Sequence, residues 1–195
     1  ATEDIEKVAA ITPTDKPYMR MGVLETFWKR IPWLMLLMLS AAFTGSIITS
    51  FESALAKQVV LTAFIPMLMG TGGNAGGQAS VTIIRGLSLD EIRYRDIFRV
   101  LWKEFRVAIC CGIVLAGVNF VKLLFLDRVG MMVAVVVSLS LIATVVIAKL
   151  MGCSLPVLAK RIGVDPAVMA SPFITTIVDT LSLVIYFKIA TMLLG

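Results

Sequence analysis

Histidine is absent from this 195-residue chain, and cysteine occurs only three times, as the neighbours Cys110 and Cys111 and the distant Cys153. Adjacent residues on a helix point about 100° apart, so neither a zinc-ligand spacing nor a disulfide framework is present. The three thiols read as apolar packing residues. Charge is scarce as well: Asp, Glu, Lys and Arg make up 16% of the residues, against 58% hydrophobic. With a mean hydropathy of +0.94, that balance excludes an ordinary soluble domain of this length. A phosphate-binding loop is missing too. The Gly-rich stretch 64–80 has no Gly-Lys-Ser/Thr ending and lies inside an apolar run. No signal peptide stands at Ala1, and without an initiating Met the sequence is expected to be an excised fragment.

Long apolar runs are what the chain has in plenty. Five occur, at 31–51, about 58–84, 107–126, 130–151 and 166–194. Each reaches the length of about 20 residues that a helix needs to cross a bilayer. The expected fold is an all-α integral membrane protein with five transmembrane helices per subunit. No self-similar period appears, and five spans do not divide into two inverted halves. Residues 31–195 form the spanning domain, and residues 1–30 a cytoplasmic linker and interfacial segment. In the latter, Pro13 and Pro17 mark a linker, residues 21–30 an interfacial run, and Trp28 and Trp33 act as aromatic anchors.

The net charge of +5 would suit nucleic acid, but its placement argues for topology instead. Fourteen of the 18 Lys and Arg lie in the N-terminal segment, between spans two and three, or in the link between spans four and five, which contains Lys160 and Arg161 and is flanked by Lys149. That bias puts the N-terminus in the cytoplasm and the C-terminus outside, in a cell inner membrane, with lipid and no nucleic acid as partner. The 85–106 link interleaves Leu89, Ile92, Ile97, Val100, Leu101 and Phe105 with charges, as a surface helix does. Its Asp90, Glu91 and Asp96 are expected to pair with the surrounding arginines rather than to hold a regulatory cation.

One carboxylate, Asp179, interrupts the fifth span near its centre. An Asp at mid-membrane costs about 2.5–3.5 kcal/mol on insertion scales, so such a residue ordinarily faces a bundle interior or a watery path. Ser171, Thr175, Asp179, Ser182 and Tyr186 fall on one helical face, with an aliphatic face opposite. Lys188 lies about half a turn round the axis from Asp179 and is expected to snorkel to the interface. Asp179 is therefore either a buried hydrogen-bonding residue between helices or part of a cation site, and the second reading is preferred.

Span two carries Gly70, Gly72, Gly73, Asn74, Gly76, Gly77 and Gln78. The pairs Gly72/Gly76 and Gly73/Gly77 have the GxxxG spacing of a helix-packing face. The sharper reading adds that glycines expose carbonyls and that Pro66 removes an amide donor. Span two would then offer backbone oxygens and Asn74 to a hydrated ion.

The segments PMLMGTGGNAGGQAS (66–80) and GVDPAVMASPFITTIVDTLSLVIYF (163–187), with the Arg-rich link after the first, resemble the MgtE family of magnesium channels and transporters. The resemblance covers essentially the whole chain. It implies a homodimer with a pore between subunits, lined by spans two and five of both. Asp179 matches the family's pore-lining acidic residue. Gly70, Gly73 and Asn74 fall in the pore-side motif of span two, and Thr175 and Ser171 lie one and two turns before the Asp. The resemblance further implies cytoplasmic sensor domains and a plug helix, of which residues 1–10 could be a remnant. Some relatives place a polar side chain where this chain has Gly77.

The expected cargo is Mg²⁺, with Mn²⁺ and Co²⁺ beside it, and no covalent chemistry is implied. Mg²⁺ gives up its waters reluctantly, which suits one carboxylate per subunit with hydroxyls and carbonyls around it. Two other functions stay open on the sequence alone. One is a proton- or sodium-coupled cation carrier using Asp179 as a protonation site. The other is a non-transporting membrane scaffold packed through the glycine face.

Overall fold

Apolar runs with few helix breakers satisfy their backbone groups internally, and every regular element among the described residues is helical. The computed structural model describes residues 6, 7, 9, 11–14, 16–52, 56, 58–169 and 171–194. Five long helices dominate: α1 (Val23–Ser50), α2 (Ile65–Ser88), α3 (Ile97–Phe125), α4 (Met131–Arg161) and α5 (Ser171–Leu194). Short 3₁₀ segments at Tyr18–Arg20, Val59–Phe64, Tyr94–Asp96 and Pro166–Met169 lead into four of them. At 1.5 Å per residue, even the 24-residue α2 and α5 are about 36 Å long, enough to cross a hydrocarbon core of about 30 Å. All five helices are long and apolar enough to cross a membrane, the second counted from Val59.

α4 is the centre of the bundle and packs on α2, α3 and α5. Its Val136, Val137, Leu141 and Val145 are buried, as its almost uninterrupted aliphatic sequence requires. The α2–α4 crossing is unusually close. A Cβ on Gly152 would collide with the carbonyl oxygen of Gly76, so only glycine lets the two backbones meet there. α1 reaches the bundle through α5: Thr44 and Thr180 share a hydroxyl hydrogen bond of 3.3 Å, and Phe51 stacks on Phe187 with centroids 4.9 Å apart.

The helices run past the apolar stretches that announce them. α3 begins at Ile97, inside the 85–106 link, and α4 continues through the 152–165 link as far as Arg161. Arg and Lys are good helix formers, so helix outlasts hydropathy. α1 likewise runs unbroken across the 30/31 boundary between the interfacial segment and the first span. Lys149 belongs to the helix itself. It is buried within α4, 3.4 Å from the Glu104 carboxylate of α3.

The expected pairing of Asp90, Glu91 and Asp96 with the surrounding arginines is not what the structure shows. Asp90 lies 4.0 Å from the Lys160 ammonium, and the Asp96 carboxylate accepts the Arg93 backbone N–H at 3.2 Å. None of the six Arg and Lys between Arg85 and Arg106 makes an ion pair among the described residues.

Candidate functional site

Asp179 sits eight residues beyond Ser171, about 12 Å along the α5 axis. Val178 and Leu183 bury the inward face of that stretch, and Asp179 itself is half-buried. Its Oδ1 is shut off from solvent and has no hydrogen-bond partner among the described residues. Leaving a buried acceptor unmet costs about 1–3 kcal/mol, more when it is charged, so a packing role alone gives this carboxylate no advantage. Among the described residues no cluster of three His, Cys, Asp or Glu side chains surrounds it.

α2 lies against α5 in the opposite direction: Gly72 faces Val178 and Ser182, Gly73 faces Thr175, and Gly76 faces Ile174. The glycines allow this. A Cβ on Gly73 would come within 3.0 Å of the Thr175 methyl and 3.5 Å of its hydroxyl. The structure therefore joins Gly73 and Thr175, with Asp179 one turn further along α5. Gly70 and Asn74 lie elsewhere on α2, both on its exposed side, with open space where a Gly70 side chain would be. Gln78 and Thr82 continue that exposed polar row at intervals of four residues. For Ser171 the described fact is its place as the first residue of α5; its side chain lies outside the description.

α2 is a continuous α-helix over Ile65–Ser88, with Pro66 in its first turn, where the missing N–H breaks no intrahelical bond. The carbonyls of Gly70 to Gly77 thus lie within regular helix. The five-residue polar face of α5 divides. Tyr186 is fully buried, and its O–H donates to the Leu61 carbonyl at 2.9 Å, tying α5 to the segment that leads into α2. Ser182 is buried against Gly72.

Thr144 of α4 belongs to no motif in the sequence, yet it reaches this contact. Its methyl comes within 2.8 Å of the Cβ position of Gly72, and Ser182 Oγ within 3.3 Å of the same point. Both hydroxyl oxygens are buried without a hydrogen-bond partner among the described residues, as is Ser80 Oγ on α2. A hydroxyl in so aliphatic a helix as α4 was the signal. Thr144 and Ser182 thus meet at Gly72, beside Val178, which is one residue from Asp179.

These features define a polytopic helical membrane protein with an unneutralised carboxylate inside a candidate span, beside a glycine-lined helix contact. Residues 65–189 match the MgtE family, described as divalent cation transporters. The chain belongs to that family, a family of transporters and not of enzymes. It is 38% identical over 194 residues to the magnesium transporter MgtE of Thermus thermophilus, covering 100% of this chain and 43% of that protein. The magnesium transporter MgtE of Bacillus subtilis is 38% identical over 199 residues, covering 98% and 42%. That of Enterococcus faecalis is 31% identical over 169 residues, covering 87% and 37%. The chain thus spans about two fifths of the length of these relatives.

Proposed function

We propose that this chain is the membrane domain of a magnesium transporter or channel that passes hydrated Mg²⁺ inward across the inner membrane. The observation that carries the reading is Asp179, a half-buried carboxylate in a candidate span with one oxygen that nothing among the described residues satisfies. The cargo is the missing partner. Mg²⁺ retains most of its octahedral waters, so it needs a negative focus and hydroxyls to hold the waters rather than a closed cage. Asp179 supplies the charge. Thr175, Ser171 and Asn74 are assigned to water-mediated contacts, and Gly73 lets Thr175 seat against α2.

The assembly in this reading is a two-fold homodimer with α2 and α5 of both copies around the pore. The exposed row Gly70, Asn74, Gln78 and Thr82 supports it, because the side-chain amides of Asn74 and Gln78 are costly against lipid tails. Two Asp179 carboxylates facing one path make a ring of negative charge of the kind that selects cations. The basic residues at the 85–106 end place that end, and residues 1–30, in the cytoplasm. Mn²⁺ and Co²⁺ share the size and oxygen preference to follow Mg²⁺.

Crystals grown with Mn²⁺ test the site and the assembly together. The reading expects an anomalous peak on a molecular two-fold, within water-bridged reach of both Asp179 carboxylates. Manganese bound only elsewhere, with Asp179 facing lipid or a packed helix, would contradict it.

A further inference from the structure

Where α3 begins and α4 ends, a groove of about 600 Å³ opens between them, lined chiefly by Ile97, Met151, Ser154, Leu155, Leu158 and Arg161. Its walls are apolar. The Ser154 hydroxyl is turned back on the Leu150 carbonyl at 2.8 Å and leaves the groove floor greasy. Arg161, the last residue of α4, stands exposed at the mouth. It makes no ion pair or side-chain hydrogen bond among the described residues. Ile97, the first residue of α3, lines the groove with it. No carboxylate lines the groove among the described residues.

An apolar trough under an unneutralised cation matches one ligand chemistry closely. We infer that this groove binds a single anionic phospholipid, its acyl chain lying along Met151 to Leu158 and its phosphate on the Arg161 guanidinium. Charge complementarity selects the occupant. A guanidinium pairs with phosphate oxygens through parallel N–H donors, and basic pockets between membrane helices suit anionic headgroups. A zwitterionic lipid would find no carboxylate for its ammonium, and a free anion would leave the apolar walls uncovered. The site is distinct from the Asp179 region, being built on α3 and the last turns of α4.

Delipidated protein, titrated with phosphatidylglycerol or phosphatidylcholine of matched chains and followed by native mass spectrometry, tests the inference. Phosphatidylglycerol should bind about ten-fold tighter, the gain expected from a charge-assisted pair at a partly exposed site. Arg161→Gln should bring it down to the phosphatidylcholine level, while Arg161→Lys keeps part of the preference. Arg99→Gln removes an exposed cation outside the groove and should leave the preference intact. Leu158→Trp, which obstructs the trough, should weaken both lipids, and inorganic phosphate should not compete. A preference that survives Arg161→Gln would overturn the inference. An equal loss in Arg99→Gln would do the same, by showing diffuse attraction to the basic collar.

Discussion

At the scale of the residue, the account rests on what each polar atom in α5 can find within the chain. Tyr186 finds the Leu61 carbonyl and Thr180 finds Thr44, whereas Asp179 Oδ1 finds nothing among the described residues. Thr175 beside Gly73 contributes one hydroxyl, worth a single water-mediated contact. Thr175→Val should therefore lower Mg²⁺ uptake only a few-fold, with little change in melting temperature. Gly73→Ala places a Cβ 3.0 Å from the Thr175 methyl, so the threonine must shift by a few tenths of an ångström. Uptake should fall while stability changes by less than about 1.5 kcal/mol, read from paired flux and melting measurements. Asp179 stands out in the sequence because a lone carboxylate is costly in an apolar span. What Tyr186 meets was not legible, for a physical reason. Helical periodicity fixes the angle between residues but not which neighbouring helix occupies that angle, and α5 packs against α1, α2 and α4 at once.

At the scale of the element, the crossing of α2 and α4 and the pin between α3 and α4 hold the α2 scaffold. Gly152→Ala pushes a methyl into the Gly76 carbonyl, which is backbone and cannot swing aside. Overpacking of that kind costs about 1–3 kcal/mol and should show as a lower melting temperature in detergent. Lys149 and Glu104 are nearly buried, with side-chain exposures of 9% and 14%. Glu104→Leu alone strands a buried ammonium and should destabilise by about 3 kcal/mol, whereas Glu104→Leu with Lys149→Met should recover most of the loss. Near the ends of the spans, the Lys7 ammonium donates to Asp165 at 2.8 Å, with the Ala167 N–H on the other carboxylate oxygen at 2.9 Å. These bonds, the lysine's first, hold the Asp165 carboxyl below the usual carboxylate range. A lowered folded value means that the tether is fully present above the ordinary carboxylate pKa of about 4 and is lost as pH falls through the lowered value. Exchange of the Ala167 amide, corrected for its intrinsic rate, should rise across that window, and Asp165→Asn should remove the step. The five spans were legible as elements because length and hydropathy suffice. The end of α4 was not, since the polar residues that close a hydrophobic run can still continue a helix, whereas the helix before span three was read from its interleaved apolar residues.

At the scale of the whole molecule, the proposed two-fold dimer rests on one face of α2. The row Gly70, Asn74, Gln78 and Thr82 is exposed on α2, where a lipid-facing helix would be aliphatic. A second copy covering that row explains it, so gentle detergent should hold a particle with a protein mass twice the 21.2 kDa of the chain. A monomer that retains flux would contradict the dimer. Gly72, Gly73 and Gly76 serve the contacts of α2 with α4 and α5, while the row Gly70, Asn74, Gln78 and Thr82 is exposed. Sequence spacing alone could not separate the two roles, because both sets recur every three or four residues on one helix. The central claim is that a divalent cation is attracted by the Asp179 carboxylate on its way through. Asp179→Asn keeps shape and most hydrogen-bonding capacity but removes the charge, whose attraction inside a low-dielectric path far exceeds that in bulk water. Mg²⁺ uptake into liposomes, measured beside the melting temperature with and without Mg²⁺, tests it most directly. The account predicts a folded, dimeric Asp179→Asn protein with strongly reduced uptake and little stabilisation by added Mg²⁺. Unchanged uptake in that well-folded variant would contradict it.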